Sequence, residues 1–147
     1  MQENEHKQLE IFLQNGDYQS AVSFLEKIEE ESKDDSDYWY YHAYIARKTG
    51  NFEKAEIFCK KALEIRPESR NANFEAGIIY QSKGDYKKAI RFLKKLIENP
   101  VEGVHWTDTV DTLNSLALSY KKARDFENAL KYYNLGLETL AQKIYED

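Results

Sequence analysis

Apolar side chains recur along this chain at helical spacing in eight successive segments, each followed by a short polar break. That pattern predicts eight amphipathic helices at roughly 3–14, 17–32, 36–49, 52–65, 70–83, 86–98, 106–123 and 126–145. The breaks alternate in kind. Within each pair of helices stands a tight Gly-Asp/Asn-aromatic phrase or its variant, and between pairs stands a looser, more polar connection: Lys33-Asp34-Asp35-Ser36-Asp37 marks the first, and Pro67 and Pro100, the only prolines, stand in the second and third. A proline ends a helix because it lacks the N–H and clashes with the preceding turn. The predicted fold is therefore all-α, built from four antiparallel helical hairpins.

The tight phrase repeats. Gly16-Asp17-Tyr18 with Ala21, Gly50-Asn51-Phe52 with Ala55 and Gly84-Asp85-Tyr86 with Ala89 are 34 residues apart, and Arg124-Asp125-Phe126 with Ala129 follows 40 residues later. Glycine stops the first helix in a left-handed conformation at no steric cost. Asp17, Asn51, Asp85 and Asp125 then offer an oxygen to the free N–H groups of the next helix. The small residue one turn later, Ala21, Ala55, Ala89 or Ala129, lets the two helices approach closely. The fourth copy departs from the rule, because Arg124 either takes roughly 1 kcal/mol of left-handed strain or relaxes the turn. Gly136 is a weak spot of similar size in its second helix.

A 34-residue period in a helical array signals stacked hairpins. The residues that carry it resemble the tetratricopeptide repeat. Residues 36–69 match through Trp39, Ala43, Gly50, Asn51, Phe52, Ala55, Ala62 and Pro67, and residues 70–103 through Gly77, Tyr80, Gly84, Asp85, Tyr86, Ala89 and Leu93. Residues 110–143 match through Leu113, Leu116, Ala117, Tyr120, Phe126, Ala129 and Tyr133, and residues 2–35 through Phe12, Gly16, Asp17, Tyr18, Ala21 and Leu25. The resemblance implies one domain over residues 1–147, with an insertion at 104–109, folded as a right-handed α-solenoid of four stacked hairpins.

The resemblance also implies a concave groove lined by the first helix of each hairpin. By its register the groove stripes are His6, Glu10 and Leu13; Tyr40, Tyr44 and Arg47; Phe74, Ile78 and Gln81; and Asn114, Leu118 and Lys121. The expected partner-binding residues are Tyr40, Tyr44, Arg47, Phe74, Ile78, Asn114, Leu118 and Lys121, with Tyr41 and Trp106 at the groove edge. The helix from Asp37 carries Tyr38, Trp39, Tyr40, Tyr41, Tyr44 and Ile45 around its whole circumference. A helix apolar all round is either buried on every side or offers one face to a ligand.

Charge narrows the partner. The net charge is −5, from 21 basic and 26 acidic residues, with residues 1–35 holding three basic and ten acidic groups. No basic segment is dense enough to track phosphates, so nucleic acid is not expected as a ligand. No run approaches the ~20 apolar residues of a membrane span, and the polar start, Met1-Gln2-Glu3-Asn4-Glu5, lacks a secretory pattern. With one cysteine, Cys59, the cytoplasm is the expected compartment. His6, His42 and His105 are too scattered for a metal site, and no phosphate loop or nucleophile motif is present. Neither a cofactor nor an enzymatic activity is expected.

Two function classes follow. The first is an adaptor that holds a peptide or partner helix in the groove. It is not a clamp for acidic chaperone tails, because the clamp positions hold His6, Glu10, Tyr41, Asn71 and Glu75, and carboxylates would repel the tail. The resemblance extends to secretion chaperones as a variant of this class. The second is a self-assembling scaffold, in which the final helix pairs through an apolar stripe of Leu130, Tyr133, Leu137, Leu140 and Ile144.

Overall fold

The computed structural model describes residues 1–146 and is helical throughout, with no strand among them. The helices are α1 (Glu3–Gln14), α2 (Tyr18–Lys27), α3 (Glu29–Ser32), α4 (Ser36–Lys48), α5 (Phe52–Ile65), α6 (Arg70–Ser82), α7 (Tyr86–Glu98), α8 (Trp106–Lys122) and α9 (Phe126–Glu146). Seven of these begin and end within about two residues of the ranges set by apolar spacing. The departure is the second expected helix, which breaks in two at Ile28 (φ −100°, ψ 6°). The Ile28 N–H is shared between the carbonyls of Phe24 and Leu25, and its side chain packs on the first hairpin's core. Of the single helical turn of α3, Ser32 is buried.

The four hairpin turns share one geometry. Gly16, Gly50 and Gly84 have φ of +67°, +86° and +80°, and their N–H groups bond to Leu13, Arg47 and Gln81. The next N–H, of Asp17, Asn51 or Asp85, reaches back to Phe12, Ala46 or Tyr80. These paired bonds cap the last carbonyls of the first helix. Arg124 does not relax the fourth turn. It takes φ 65°, and the bonds Arg124 to Lys121 and Asp125 to Tyr120 reproduce the pattern. The side chains of Asp17, Asn51, Asp85 and Asp125 then accept from the N–H of Ser20, Lys54, Lys88 and Asn128 at 3.1–3.2 Å.

By their contacts the described residues form two compact units, Met1–Glu75 and a second that begins at Ala76. In the first, Leu9, Ala21, Leu25, Tyr38, Tyr41 and Ile45 form the core between the α1–α2 hairpin and α4. Trp39 turns the other way and stacks on Phe58 of α5 with centroids 5.9 Å apart. In the second, Tyr80 stacks on Phe92 at 5.6 Å and Tyr120 on Tyr132 at 5.5 Å. Gly77 of α6 lies so close to α7 that an added Cβ would meet Leu93 Cγ and Cδ2 at 2.6 Å.

An aromatic pair joins the helices of each hairpin, but the second hairpin builds it differently. Phe12, Tyr80 and Tyr120 each stand four residues before the turn residue, where the second hairpin has Ala46. Trp39 and His42 fill the space instead, with the imidazole 5.1 Å from the Phe58 ring and 4.8 Å from Tyr38. The six-residue insertion divides between connection and helix. Gly103 turns with φ +81°, and α8 starts at Trp106 and runs 17 residues against 13 in α4 and in α6.

Candidate functional site

The first unit has a recess of about 320 Å³ lined by Glu10, Leu13, Gln14, Tyr40, Tyr41, Tyr44 and Asn71. Three first helices of successive hairpins build it. From α1, Glu10, Leu13 and Gln14 share one face at three- and four-residue spacing, and from α4, Tyr40 and Tyr44 do the same. Asn71 comes from the first turn of α6, one turn before Phe74.

The tyrosine rings are tilted rather than stacked. Tyr40 and Tyr41 have centroids 5.2 Å apart at 52°, and Tyr40 and Tyr44 6.4 Å apart at 56°. Tyr41 is the most fixed of the three: its ring belongs to the core, and its hydroxyl meets His6 Nδ1 at 3.0 Å. Burial raises the Tyr40 hydroxyl pKa, with the Glu75 charge adding to it, and burial followed by Glu10 and Asp37 does the same for Tyr41. Both hydroxyls therefore stay protonated across the physiological range.

Arg47, on the same stripe as Tyr40 and Tyr44, is already engaged. Its Nε donates to Glu75 Oε1 and its Nη2 to Oε2 at 3.3 Å, while its guanidinium carbon lies 5.3 Å from the Tyr44 ring centroid. Glu75 is 1% exposed and Arg47 is half-buried, so the carboxylate end of the pair is out of water. Burial raises the Glu75 carboxyl pKa, and Arg47 offsets part of that rise. Phe74, also in the first unit, is half-buried and does not line the recess.

In the second unit, Ile78 and Leu118 are half-buried, while Asn114 and Lys121 are exposed. Asn114 leans over α9, where an added Cβ on Gly136 would approach its Oδ1 to 3.2 Å. Gln81 is engaged by α8, donating to Ser115 O and Ser119 Oγ at 3.0 and 2.8 Å. Trp106 opens α8 with its ring 5.7 Å from His105, which caps the helix through the Thr107 N–H. Gln14 and Asn71 were not among the expected binding residues. The helical spacing of Gln14 to Glu10 and of Asn71 to Phe74 is the signal that points to them.

Other chemistry-bearing side chains have structural surroundings. Cys59 is buried, its Sγ meets Ala72 O at 3.2 Å, and desolvation pushes the thiol up to about 12. His42 is held neutral, its pKa lowered to about 4 by burial and then by Lys61. No helix among the described residues is long and apolar enough to cross a membrane.

The outer face of α9 is apolar and exposed. Phe126, Leu130, Leu137 and Ile144 are 59%, 62%, 63% and 63% exposed, and with half-buried Tyr133 and Leu140 they repeat at alternating four- and three-residue spacing. Tyr132, Ala129 and Gly136 are the buried face of the same helix.

Hairpins with a shared capped turn, a small residue one turn later and half-buried aromatics on the first helices define a helical-repeat interaction module of the α-solenoid class. The chain matches the tetratricopeptide repeat over residues 35–100 and again over 110–146, and it belongs to that family. Solved structures share the fold. MamA superposes with a TM-score of 0.77 at 19% identity, covering 95% of this chain and 78% of its own. BtubC (BKLC) from P. vanneervenii gives 0.79 at 22% identity, covering 92% of this chain and 61% of its own. The N-terminal domain of stress-induced protein-1 (STI-1) from C. elegans gives 0.64 at 19% identity, covering 76% and 92%. No curated protein matches the sequence.

Proposed function

We propose that this protein is a non-enzymatic adaptor that holds a peptide or a partner helix against the inward faces of its first helices. The observation that carries this reading is the recess at Tyr40, Tyr41 and Tyr44. Tyrosines that are partly buried yet line an open recess combine apolar area with little side-chain entropy to lose, which is why tyrosine anchors interfaces. Phe74, Ile78 and Leu118 extend the apolar character on the later first helices, and Asn114 and Lys121 supply polar contacts. Arg47, committed to Glu75, contributes by holding Tyr44 in place.

Selection from a displayed peptide library tests the reading. Selected peptides should bind the wild-type chain at least tenfold more tightly than a folded Tyr44→Ala, Phe74→Ala double variant. Equal binding by the two would sink it. An acidic chaperone tail should be a poor ligand, since Glu10 lines the recess and Glu75 already has its cation.

A second reading is favoured by the outer face of α9. Six apolar side chains at alternating four- and three-residue spacing suit pairing with a like helix, as in a coiled-coil seam. A second copy of this chain presents the same stripe, and two stripes would bury each other. Sedimentation should then show a dimer that Leu130→Glu, Leu137→Glu dissociates. A monomer at high concentration removes this second role and leaves the adaptor intact.

A further inference from the structure

The recess on the first unit has an electrostatic bias that peptide binding alone does not require. Glu10 is the one charged side chain among its lining residues, and the remaining polar walls are Gln14, Asn71 and the tyrosine hydroxyls. Of the two cations beside Tyr44, one is paired with a carboxylate and the other lies on the ring itself. Arg47 is neutralised by Glu75, and Lys48 lies over Tyr44, its Nζ 5.5 Å from the ring centroid. His6 at the rim is bonded to the Tyr41 hydroxyl, and its Nε2 stands 3.8 Å from Asp37. Glu10 and Asp37 both act on the Tyr41 hydroxyl, and Glu75 acts on that of Tyr40 with Arg47 offsetting part of it. Residues 1–35, which supply Glu10, Leu13 and Gln14 to it, hold ten acidic groups against three basic ones.

Resting on the adaptor reading, we propose that the recess receives a cationic side chain, lysine or arginine, of a basic partner segment, with its head against the tyrosine rings and Glu10 as counter-ion. Aromatic faces attract a cation within about 6 Å of the ring centroid. The molecule itself shows the contact, with Arg47 at 5.3 Å from the Tyr44 centroid. A recess of about 320 Å³ has room for a guanidinium and its stem. An acidic side chain would meet Glu10 directly, and a wholly apolar one would leave Gln14 and Asn71 without partners.

The test uses two small probes of equal size, acetyl-Gly-Arg-Gly-amide and the same tripeptide with neutral citrulline in place of arginine. Each is titrated into the full chain labelled with nitrogen-15, and amide shifts are followed. The arginine probe should give saturable shifts at Glu10, Tyr40 and Tyr44, at least fivefold tighter than citrulline, weakening as salt is added. Glu10→Gln, whose unperturbed spectrum reports that it is folded, should lose at least threefold for arginine and little for citrulline. Equal binding of the two probes, or no saturable shift from arginine, overturns the proposal. The adaptor reading fails separately. Library peptides that depend on Tyr44 and Phe74 but lack a basic residue overturn only the cation preference, whereas arginine binding with no groove-dependent peptide supports it and overturns only the broader reading.

Discussion

Arg47 of α4 and Glu75 of α6 form a two-pronged ion pair in a setting where the carboxylate has almost no contact with water. The pair links successive first helices inside the first unit and sets Arg47 against Tyr44. A buried pair of this kind contributes little net stability when intact, but removing one partner strands the other charge.

Arg47→Met should therefore cost about 3–5 kcal/mol at neutral pH, measured by urea unfolding. Joint replacement with Glu75→Leu should recover most of it. The loss from Arg47→Met alone should shrink in acid, because burial already raises the Glu75 carboxyl pKa and protonation removes the stranded charge.

His42 gives a second pH signature with the opposite sign. Its folded-state pKa lies at about 4 against an ordinary value of 6.5, and its Nε2 has no hydrogen-bond partner. The unfolded chain takes up the proton first, so the stability tied to neutral His42 is complete above pH 6.5 and is lost as pH falls toward 4. The carboxyls of Asp17 and Asp125, held low by bonds from Ser20 and Asn128, lose their contribution only below that window. His42→Phe should flatten the fall in melting temperature between pH 7 and pH 4, and an unchanged slope would assign the acid sensitivity elsewhere.

Arg124→Gly should stabilise the protein by roughly 1 kcal/mol, because the turn keeps its left-handed geometry at a cost that glycine avoids. Thermal melts of the single variant suffice, and no gain would mean that the unfolded state absorbs the difference.

Gly77→Ala should cost about 1–3 kcal/mol, since the new methyl would overlap Leu93 where α6 crosses α7. Gly136→Ala meets the movable amide of Asn114 at 3.2 Å and Leu113 Cβ at an ordinary 3.7 Å and gains helix propensity, so its melting temperature should change little. The contrast between these two glycines checks the hairpin packing independently of any ligand.

The hairpin turns and caps are legible in the sequence because Gly, Asp and Asn act through local backbone chemistry that needs no tertiary context. The break at Ile28 is not, since no glycine or proline marks it; its side chain packs on the core of the first unit. The all-round apolar surface of α4 resolves into both alternatives at once. Tyr38, Tyr41 and Ile45 are core and Trp39 packs on α5, which leaves Tyr40 and Tyr44 at the recess. What spacing cannot show is that Arg47 is spent on Glu75, a contact that depends on a residue 28 positions away. Gln14 and Asn71 belong to no apolar stripe, and only their helical spacing to Glu10 and Phe74 points to them.

Mapping the contact surface tests the central claim most directly. With a library-selected peptide added to the nitrogen-15-labelled chain, the largest amide shifts should fall on Tyr40 and Tyr44 of α4 and on Ile78 and Leu118 of the later first helices. Shifts confined to the second helices, or to the outer face of α9 at Leu130 and Leu137, would contradict a partner bound along the first-helix faces.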